Sequence, residues 1–311
     1  FKAKASHYNK LLENVALSIG GYYDRNDGFF TNSFNGKKAD KEESVGARLG
    51  LEWMISPQFK AIYNFSFDYS EQGAFPYGLY NPETEETAAV SINDSSTYNR
   101  RMIGNQLRLE YKSNQFTLSS TTGYRHLKDN MNMDQDFSPL SIFTLNQKQK
   151  QNAFSQEIAL KSNQPTNYQW SVGLYGFYDD LHTDGPVTFK EDGVKTVLQS
   201  VFDRLKASIP RMPQLIILDE QIYIPGSFDT PTYGLALYHQ STINNLFSEG
   251  LSLTAGIRLD YEKAEMDYHS EASMHFGMQM APGMPMITLP ELPTSVMDGS
   301  INQDSWQVLP K

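Results

Sequence analysis

The chain has 311 residues, a formal net charge of −10 and no cysteine. The acidic charge argues against a nucleic-acid-binding protein, and the lack of cysteine excludes disulfides and thiolate metal sites. The mean hydropathy of −0.50 excludes a bundle of membrane-spanning helices, because each such helix needs about 20 consecutive apolar residues. A transmembrane β-barrel is compatible with this polar average, since only alternate strand residues face lipid.

The first 41 residues predict strands followed by a loop. Residues 1–10 read as the end of a strand, and residues 14–24 alternate between two faces. A period of two is typical of a strand with one apolar face. Residues 25–41 are polar and predict a loop.

The stretch from Glu43 to Tyr69 predicts a long hairpin with one apolar face. Positions 45, 47, 49, 51 and 53 are apolar, and Arg48 and Glu52 alternate with them. Strands of this length match the roughly 9–11 residues that cross a bilayer at a tilt. We therefore expect the apolar set to face lipid, and Arg48 and Glu52 to face a lumen. The alternative is a strand pair of a soluble sandwich, which would need a second sheet against its apolar face.

The same alternation predicts strands along the rest of the chain. These strands span residues 100–112, 116–126, 154–161, 168–179, 233–244 and 251–268, and residues 305–311 indicate the beginning of another. The chain then holds about nine complete strands and two partial ones by this pattern.

Short and long connections alternate strictly between the predicted strands. Antiparallel up-and-down strands place alternate connections at opposite ends of a sheet. We therefore expect the short turns to share one rim and the long loops the other, as in bacterial outer-membrane barrels. The short turns lie at residues 56–57, 113–114 and 163–166, and the long loops at 25–41, 70–98, 127–150 and 180–228.

The predicted fold class is an all-β, antiparallel, up-and-down transmembrane β-barrel with long extracellular loops. Lipid tolerates no open sheet edge. We therefore expect residues 1–311 to be one part of the barrel domain of a larger chain, whose other strands close it.

The longest loop contains one short predicted helix. Apolar residues recur at three- and four-residue spacing from Gly193 to Ala207, which is typical of an amphipathic helix. Pro210 and Pro213 end it. The helix either folds onto its own loop, which we favour, or serves as a lid or a docking face for a partner protein.

Two polar segments are weak candidates for metal binding. Residues 129–136 resemble the start of a calcium loop but lack its glycine and its final glutamate. They favour instead a strand whose polar residues face inward, namely Asn130, Asn132, Asp134 and Asp136. Residues 266–297 contain seven methionines with His269 and His275. Such residues ligate copper or haem, or form an adaptable contact surface, which we favour. No metal site, no cofactor and no catalytic arrangement is predicted.

Candidate ligand-binding residues lie where strands meet the long loops. Paired arginines on an acidic chain can bind an anionic ligand through bidentate contacts, and nearby tyrosines can stack on an aromatic chelate. The alternative is that these arginines pair with loop carboxylates. The candidates are Arg100, Arg101, Arg125, His126, Tyr77 and Tyr80.

Several stretches resemble the barrel of TonB-dependent outer-membrane receptors. They are GARLGLEWMISPQFK (residues 46–60), FSQEIALKS (154–162), YQWSVGLYGFYDD (168–180) and LSLTAGIRLDYEK (251–263). The resemblance covers nearly the whole chain at the level of strands, and is stronger to receptors of iron complexes and siderophores than to glycan importers.

The resemblance implies a function and a set of partners. The family has about 22 strands around a plug, so this chain would supply half of the barrel, without the plug and the C-terminal strands. The implied protein binds a scarce nutrient in the outer membrane, such as a ferric siderophore, and imports it with energy that TonB delivers through the plug. Lipid surrounds it, and a surface lipoprotein is a possible partner. The alternatives are a glycan importer with a lipoprotein lid and a passive porin-like barrel.

Overall fold

A computed structural model describes residues 1–73, 75–164, 166–281 and 283–310. Three predicted connections therefore each contain one residue outside the described ranges, namely Ala74, Pro165 and Pro282. The strands are β1 (Lys2–Leu12), β2 (Val15–Asn26), β3 (Glu42–Met54), β4 (Phe59–Gly73), β5 (Tyr80–Asn81), β6 (Glu86–Thr87), β7 (Thr97–Lys112), β8 (Phe116–Asp134), β9 (Phe143–Ser162), β10 (Tyr168–Asp184), β11 (Val187–Phe189), β12 (Gln214–Ile217), β13 (Ile222–Ile224), β14 (Ser227–Ile243), β15 (Leu253–Met274), β16 (Phe276–Gln279), β17 (Ile287–Thr288) and β18 (Leu292–Pro310).

The long strands form one continuous antiparallel sheet in chain order. The order is β1-β2-β3-β4-β7-β8-β9-β10-β14-β15-β18, and each long strand pairs with the next one along the chain. This confirms the predicted up-and-down topology. Within the described ranges, β1 and β18 form the two edges of the sheet and do not pair with each other.

The sheet is curved and has a polar concave face and an apolar convex face. Arg48 lines a concave cavity together with Asn64 and Gln106, and Glu52 shares that face because it lies four residues further along β3. On the convex face, Leu174 and Leu235 are 51% and 60% exposed. The predicted division of the β3 residues between two faces is confirmed.

An aromatic row crosses the middle of the convex face. Tyr124, Phe154, Tyr178 and Tyr233 are directly opposite one another on four neighbouring strands. All four side chains are exposed. Aromatic side chains in such a row suit the boundary between lipid and water, where a ring can lie in the apolar layer and a hydroxyl can reach water.

The short turns contact one another at a single rim. The backbone N–H of Lys112 donates to the carbonyl of Gln58 over 2.7 Å, and that of Asn163 donates to Gln115 over 2.9 Å. The Asn163 side chain also donates to the carbonyl of Ser113 over 3.0 Å. These contacts join successive turns, so the described residues of all three predicted turns lie at one end of the sheet.

The long loops contact one another at the opposite rim. Asn32, in the loop after β2, donates to the carbonyl of Ile92 over 2.7 Å, and Asn93 donates to Ser141 over 2.8 Å. Lys190 then pairs with Asp94 over 2.5 Å. The loops after β2, β4, β8 and β10 are therefore linked in series, as the alternation of connections predicts.

Two predicted boundaries are wrong because the strands continue beyond the length that a bilayer needs. The loop predicted at 127–150 is reduced to residues 135–142, since β8 and β9 extend toward each other. The final loop ends at residue 291 rather than near Ser305, because β18 begins at Leu292. In both places polar residues alternate along a paired strand, so polarity alone does not indicate a loop.

A small hydrophobic cap lies on the long-loop rim. It is built from residues 187–226 and 274–291, which contribute β12 and β16 to a three-stranded sheet with β17. Its core contains the buried side chains of Val194, Ile217, Ile222 and Phe276. Gly193 packs so closely against the carbonyl of Ile142 that a Cβ would meet this oxygen at 2.1 Å, which fixes the cap against the loop after β8.

The predicted helix forms and folds onto this cap. It comprises an α-helical turn at Glu191–Gly193, a π-helical segment at Val194–Leu198 and an α-helix at Gln199–Ser208. Phe202 packs edge-to-face on Phe276, with ring centroids 5.1 Å apart. One face is thus covered, and Val201 on the other face is 57% exposed. No helix in the described part of the chain is long and apolar enough to cross a bilayer.

Candidate functional site

The concave face of the sheet forms the candidate site, which we name the inner wall. A cavity of about 620 Å³ follows it across strands β2 to β10. The lining combines glycines and polar side chains with the larger side chains of Met102, Tyr175 and Phe177, because every second residue of each strand points to this side. Its charged members are Arg48, Arg125 and Asp179.

The first polar cluster of the inner wall joins three neighbouring strands. Arg48 forms two hydrogen bonds to the carboxylate of Asp68, at 2.9 and 3.1 Å, and Tyr22 donates its hydroxyl to the same carboxylate over 2.8 Å. Asp68 is only 9% exposed. Gly46 makes room for the Tyr22 ring, since a Cβ would meet that ring at 2.1 Å. The cluster holds a nearly buried charge in a fixed position.

A second polar chain crosses strands β8 to β10. Arg125 donates to the side-chain oxygen of Gln151 over 3.3 Å, and Gln151 donates to the Asp179 carboxylate over 2.7 Å. The other Asp179 oxygen is buried and has no hydrogen-bond partner. Arg125 itself is exposed, so it presents donors to the cavity while its position is set by the chain behind it.

A third cluster lies nearer the long loops. Arg100 on β7 is directly opposite Asp129 on β8, and Tyr98 donates its hydroxyl to Asp129 over 3.1 Å. These residues lie beyond the aromatic row that ends the apolar band. One Asp129 oxygen is buried without a partner.

The structure places the predicted arginines on two different faces. Arg100 and Arg125 share the concave face, with Arg125 opposite Gly104, four residues from Arg100; this separation is about 13 Å along the strand. Arg101 and His126 lie at the alternate positions and point to the convex face. The expectation that all four share one ligand is therefore wrong, because adjacent residues of a strand face opposite sides.

The predicted tyrosines lie in the loop after β4. Tyr77 is 55% exposed and packs edge-on against Phe137 from the loop after β8, with centroids 5.1 Å apart. Tyr80 is exposed in the small hairpin of β5 and β6, opposite Thr87. Tyr77 is held at the rim between two loops, whereas Tyr80 lies at a hairpin end.

The two segments weighed for metal binding have other roles in the structure. Asn130, Asn132 and Asp134 lie on the convex side of β8, contrary to the expectation that they face inward, and Asp134 accepts a hydrogen bond from the backbone of Asp94 in the overlying loop over 3.1 Å. In the other segment, His275 pairs with Asp219 over 2.8 Å. Among the described residues, no group of three or more histidines and carboxylates has the geometry of a metal site.

The inner wall contains residues that the sequence patterns do not single out. Asp68, Asp129 and Asp179 are the anchoring carboxylates, and each is separated from its basic or amide partner by more than 15 positions in the chain. Only a prediction of the strand register could have identified them, because the register determines which residues of adjacent strands are opposite each other. The alternation of residues along one strand shows which face of the sheet each side chain lies on. Only the pairing between two strands shows which side chains contact one another.

Structures of siderophore and ferric-complex receptors match the chain along nearly its whole length. The ferric yersiniabactin uptake receptor FyuA from Yersinia pestis matches at a TM-score of 0.68 and 14% identity, over 99% of this chain and 41% of that one. The siderophore receptor PiuA from Acinetobacter baumannii matches at 0.62 and 11%, over 99% and 44%. The ferric-catecholate import receptor Fiu from E. coli K12 matches at 0.50 and 12%, over 99% and 49%. No protein-family model and no curated protein matches the sequence.

The chain has the β-barrel fold of these receptors. This confirms, at the level of the fold, the resemblance carried by the strand sequences. The chain spans 41% and 44% of the length of the first two structures. In a barrel of this fold, the concave inner wall lines the lumen and the convex face meets lipid.

Proposed function

We propose that the chain is part of an outer-membrane receptor that binds an anionic metal chelate, such as a ferric siderophore, and imports it with energy from TonB. The observation that carries the proposal is the inner wall. Arg125 lines its cavity and donates to Gln151, which in turn donates to Asp179. Arg100 shares the concave face and lies opposite Asp129. A carboxylate, catecholate or hydroxamate complex of iron offers anionic oxygens to such donors.

The supporting comparison is the fold shared with proteins described as siderophore or ferric-complex receptors. Arg48 and Arg125 are held by hydrogen bonds to Asp68 and Gln151, and Arg125 still presents exposed donors to the cavity. Tyr77, held by Phe137 at the rim, offers an exposed ring for stacking on an aromatic chelate. The proposed role is transport rather than catalysis and needs no cofactor.

The partners follow from the same proposal. The convex face contacts outer-membrane lipid, and TonB acts through a plug region outside this chain. A surface lipoprotein belongs to the alternative of glycan import. A passive porin-like barrel is the other alternative, and it would conduct solutes without energised import.

The test is the double variant R100A/R125A in the full-length protein. We expect whole-cell binding of ferric catecholate, ferric hydroxamate or ferric citrate complexes, labelled with radioactive iron, to weaken about tenfold or more. The reason is that a charge-assisted hydrogen bond contributes roughly 1.5–3 kcal/mol, and about 1.4 kcal/mol is tenfold in affinity.

The matched comparison is R101A, which removes the neighbouring charge from the opposite face. We expect it to bind the same complexes as tightly as the parent. Equal loss in both variants would place the binding surface elsewhere. Full binding by R100A/R125A, together with uptake that persists after the proton-motive force is collapsed, would favour the passive barrel. Capture of a neutral glycan instead of any iron complex would favour the glycan importer.

A further inference from the structure

A fully buried carboxyl group lies beneath the loop after β4. Asp134 is the last residue of β8 and is 0% exposed. Because β8 has 19 residues, this end of the strand lies beyond the roughly 9–11 residues that cross a bilayer. Residues 90–96 of the loop after β4 cover it, and we name them the covering segment. Val90, Ile92 and Ser96 of this segment are themselves buried.

Two hydrogen bonds join the covering segment to Asp134. The backbone N–H of Asp94 donates to Oδ2 of Asp134 over 3.1 Å, and the backbone N–H of Asp134 donates to the hydroxyl of Ser96 over 3.0 Å. The other carboxyl oxygen, Oδ1, is buried and has no hydrogen-bond partner. Asp134 therefore has fewer donors than a buried charge requires.

The charged groups around Asp134 do not compensate a charge on it. The loop after β4 contributes Asp94, the loop after β8 contributes Asp136, and the cap contributes Lys190 and Asp192. The ammonium of Lys190 pairs with Asp94 over 2.5 Å. Asp136 accepts two backbone N–H groups of its own turn, and Asp192 accepts another from that turn over 2.8 Å. Within the described ranges, no cationic side chain forms an ion pair with Asp134.

Ionised Asp134 is therefore disfavoured while the covering segment is closed. Burial without a cationic partner disfavours the charged form of a carboxyl group, and the negative charges of Asp94 and Asp136 act on this group as well. An open segment would let water reach both oxygens and stabilise the charge. Closure of the segment is thus coupled to retention of a proton on Asp134.

We propose that Asp134 is a proton-operated latch for the loop after β4. The covering segment is closed while the carboxyl group holds its proton, and it loosens when the carboxyl group releases that proton to water. Tyr77 and Tyr80 belong to the same loop, so the latch sets how firmly this loop is held at the mouth of the inner wall. The latch goes beyond the proposed function and does not depend on which ligand the inner wall binds.

The direction of the pH effect follows from this coupling. Below the ordinary aspartate pKa of about 3.9, the carboxyl group is neutral whether the segment is closed or open, so closure is fully favourable. As the pH rises above that value, the open state gains by ionising in water and the closed state does not. Closure therefore weakens as the pH rises.

The test measures the mobility of the loop as a function of pH. A nitroxide is attached through A89C, at an exposed position next to the covering segment, in the full-length protein in lipid vesicles. Electron paramagnetic resonance then gives the ratio of mobile to immobile label. We expect this ratio to rise severalfold between about pH 4 and about pH 8, a range that begins near the ordinary aspartate pKa. In D134N the ratio should stay low at every pH, because the amide remains neutral, and D134S provides a second uncharged side chain.

The matched control is D184N, which makes the same chemical change at the end of β10. The Asp184 side chain is 52% exposed, so D184N should keep the pH dependence of the parent. K190Q removes the partner of Asp94 and should raise the mobile fraction at every pH while keeping the pH dependence. A second label at N114C, on the short-turn rim, should have the same mobility throughout.

Four results would overturn the proposal. They are a mobile fraction that does not change with pH in the parent, a pH dependence that persists in both D134N and D134S, an equal flattening in D184N, and loss of the dependence in K190Q. The last result would assign the effect to the ion pair between Lys190 and Asp94. Circular dichroism of each variant checks that the strands are folded, so that loop mobility is compared between folded proteins.

Discussion

At the scale of the residue, the Arg48–Asp68 pair is the best-defined contact of the inner wall. We expect R48M to lower the free energy of unfolding by about 1–3 kcal/mol, because it leaves a nearly buried carboxylate with a weaker set of partners. The partial exposure of Arg48 keeps the value toward the lower end. The measurement is urea unfolding of the full-length protein in lipid vesicles.

A double variant separates the ion pair from side-chain packing. R48M/D68N removes both charges and should recover most of the lost stability, since the cost comes from the charge left behind. R108M serves as a control, because its partner Glu110 is more exposed than Asp68 and a surface pair contributes little. A single variant R48M as stable as the parent would show that the cavity side of Asp68 is already well solvated.

The sequence patterns predicted correctly which face of the sheet a residue lies on, but they did not predict which side chains contact one another. The alternation in β3 placed Arg48 on the concave side, but the grouping of Arg100 with Arg101 failed because consecutive strand residues diverge. The partner Asp68 could not be found from one sequence, since it requires the register between β3 and β4. That register is set by the turn and by packing on both faces of the sheet, not by either residue of the pair.

At the scale of the element, the helix of the cap depends on one buried face. We expect F202A to loosen the cap, because it removes an aromatic ring packed on Phe276 and leaves a cavity; such changes cost about 3–5 kcal/mol in a well-packed core. V201A, one residue earlier on the exposed face, should have little effect. Limited proteolysis of residues 187–226 in the folded protein measures the difference.

The barrel provides the internal reference for this experiment. The cap core meets the long strands at the end of β15, where Met274 packs against it, so F202A should leave the unfolding midpoint of the barrel nearly unchanged while protease cleavage of the cap accelerates. Equal cleavage of F202A and V201A would show that the cap core contributes no local stability.

The contact between the two cap segments should depend on pH. His275 donates its backbone N–H to Asp219 over 2.7 Å and contacts the same carboxylate through Nδ1 over 2.8 Å, and Glu291 lies 3.8 Å from its Nε2. Hydrogen bonding to Asp219, then the negative charges of Asp219 and Glu291, raise the pKa of His275. The protonated form is therefore favoured when the cap is folded.

The sign of the pH effect follows from this shift. Stability from the pair is fully present below the ordinary histidine pKa of about 6.5 and is lost as the pH rises through the raised value in the folded cap. We expect the cap to be more resistant to protease at pH 6 than at pH 8 (both chosen to bracket about 6.5). H275Q should flatten this dependence, and an unchanged slope in H275Q would assign it to other groups.

The positions of the strands and of the helix were predicted better than the residues at which they begin and end. The helix appears where the three- and four-residue spacing placed it, and the long hairpins appear where residues alternate. The ends of β8, β9 and β18 were misplaced because the sheet continues above the apolar band, where both faces meet polar loops and water. There the apolar half of the alternation disappears, and with it the signal that marks a strand.

At the scale of the whole molecule, the sheet has two rims with different roles. The connection pattern alone predicted this asymmetry, because an antiparallel meander must alternate its connections. The cap and the links between loops were not predictable, since they depend on side chains far apart in the chain, such as Asn32 and the Ile92 carbonyl. The inner wall lies between the rims and is open toward the loops, so ligand approach and loop order are coupled.

The orientation of the rims in the membrane can be tested with single cysteines, because the chain has none. Exposed long-loop positions are tested by K37C, T84C and R211C, and short-turn positions by Q58C, N114C and S248C. We expect a membrane-impermeant maleimide added to intact cells to label the three loop variants and to spare the three turn variants, which should react only after the outer membrane is permeabilised. Lysed cells control for intrinsic reactivity, since all six sites should then label. Labelling of the turn variants in intact cells, with the loop variants protected, would show that the barrel has the opposite orientation. The long-loop end of the inner wall would then not face an incoming chelate.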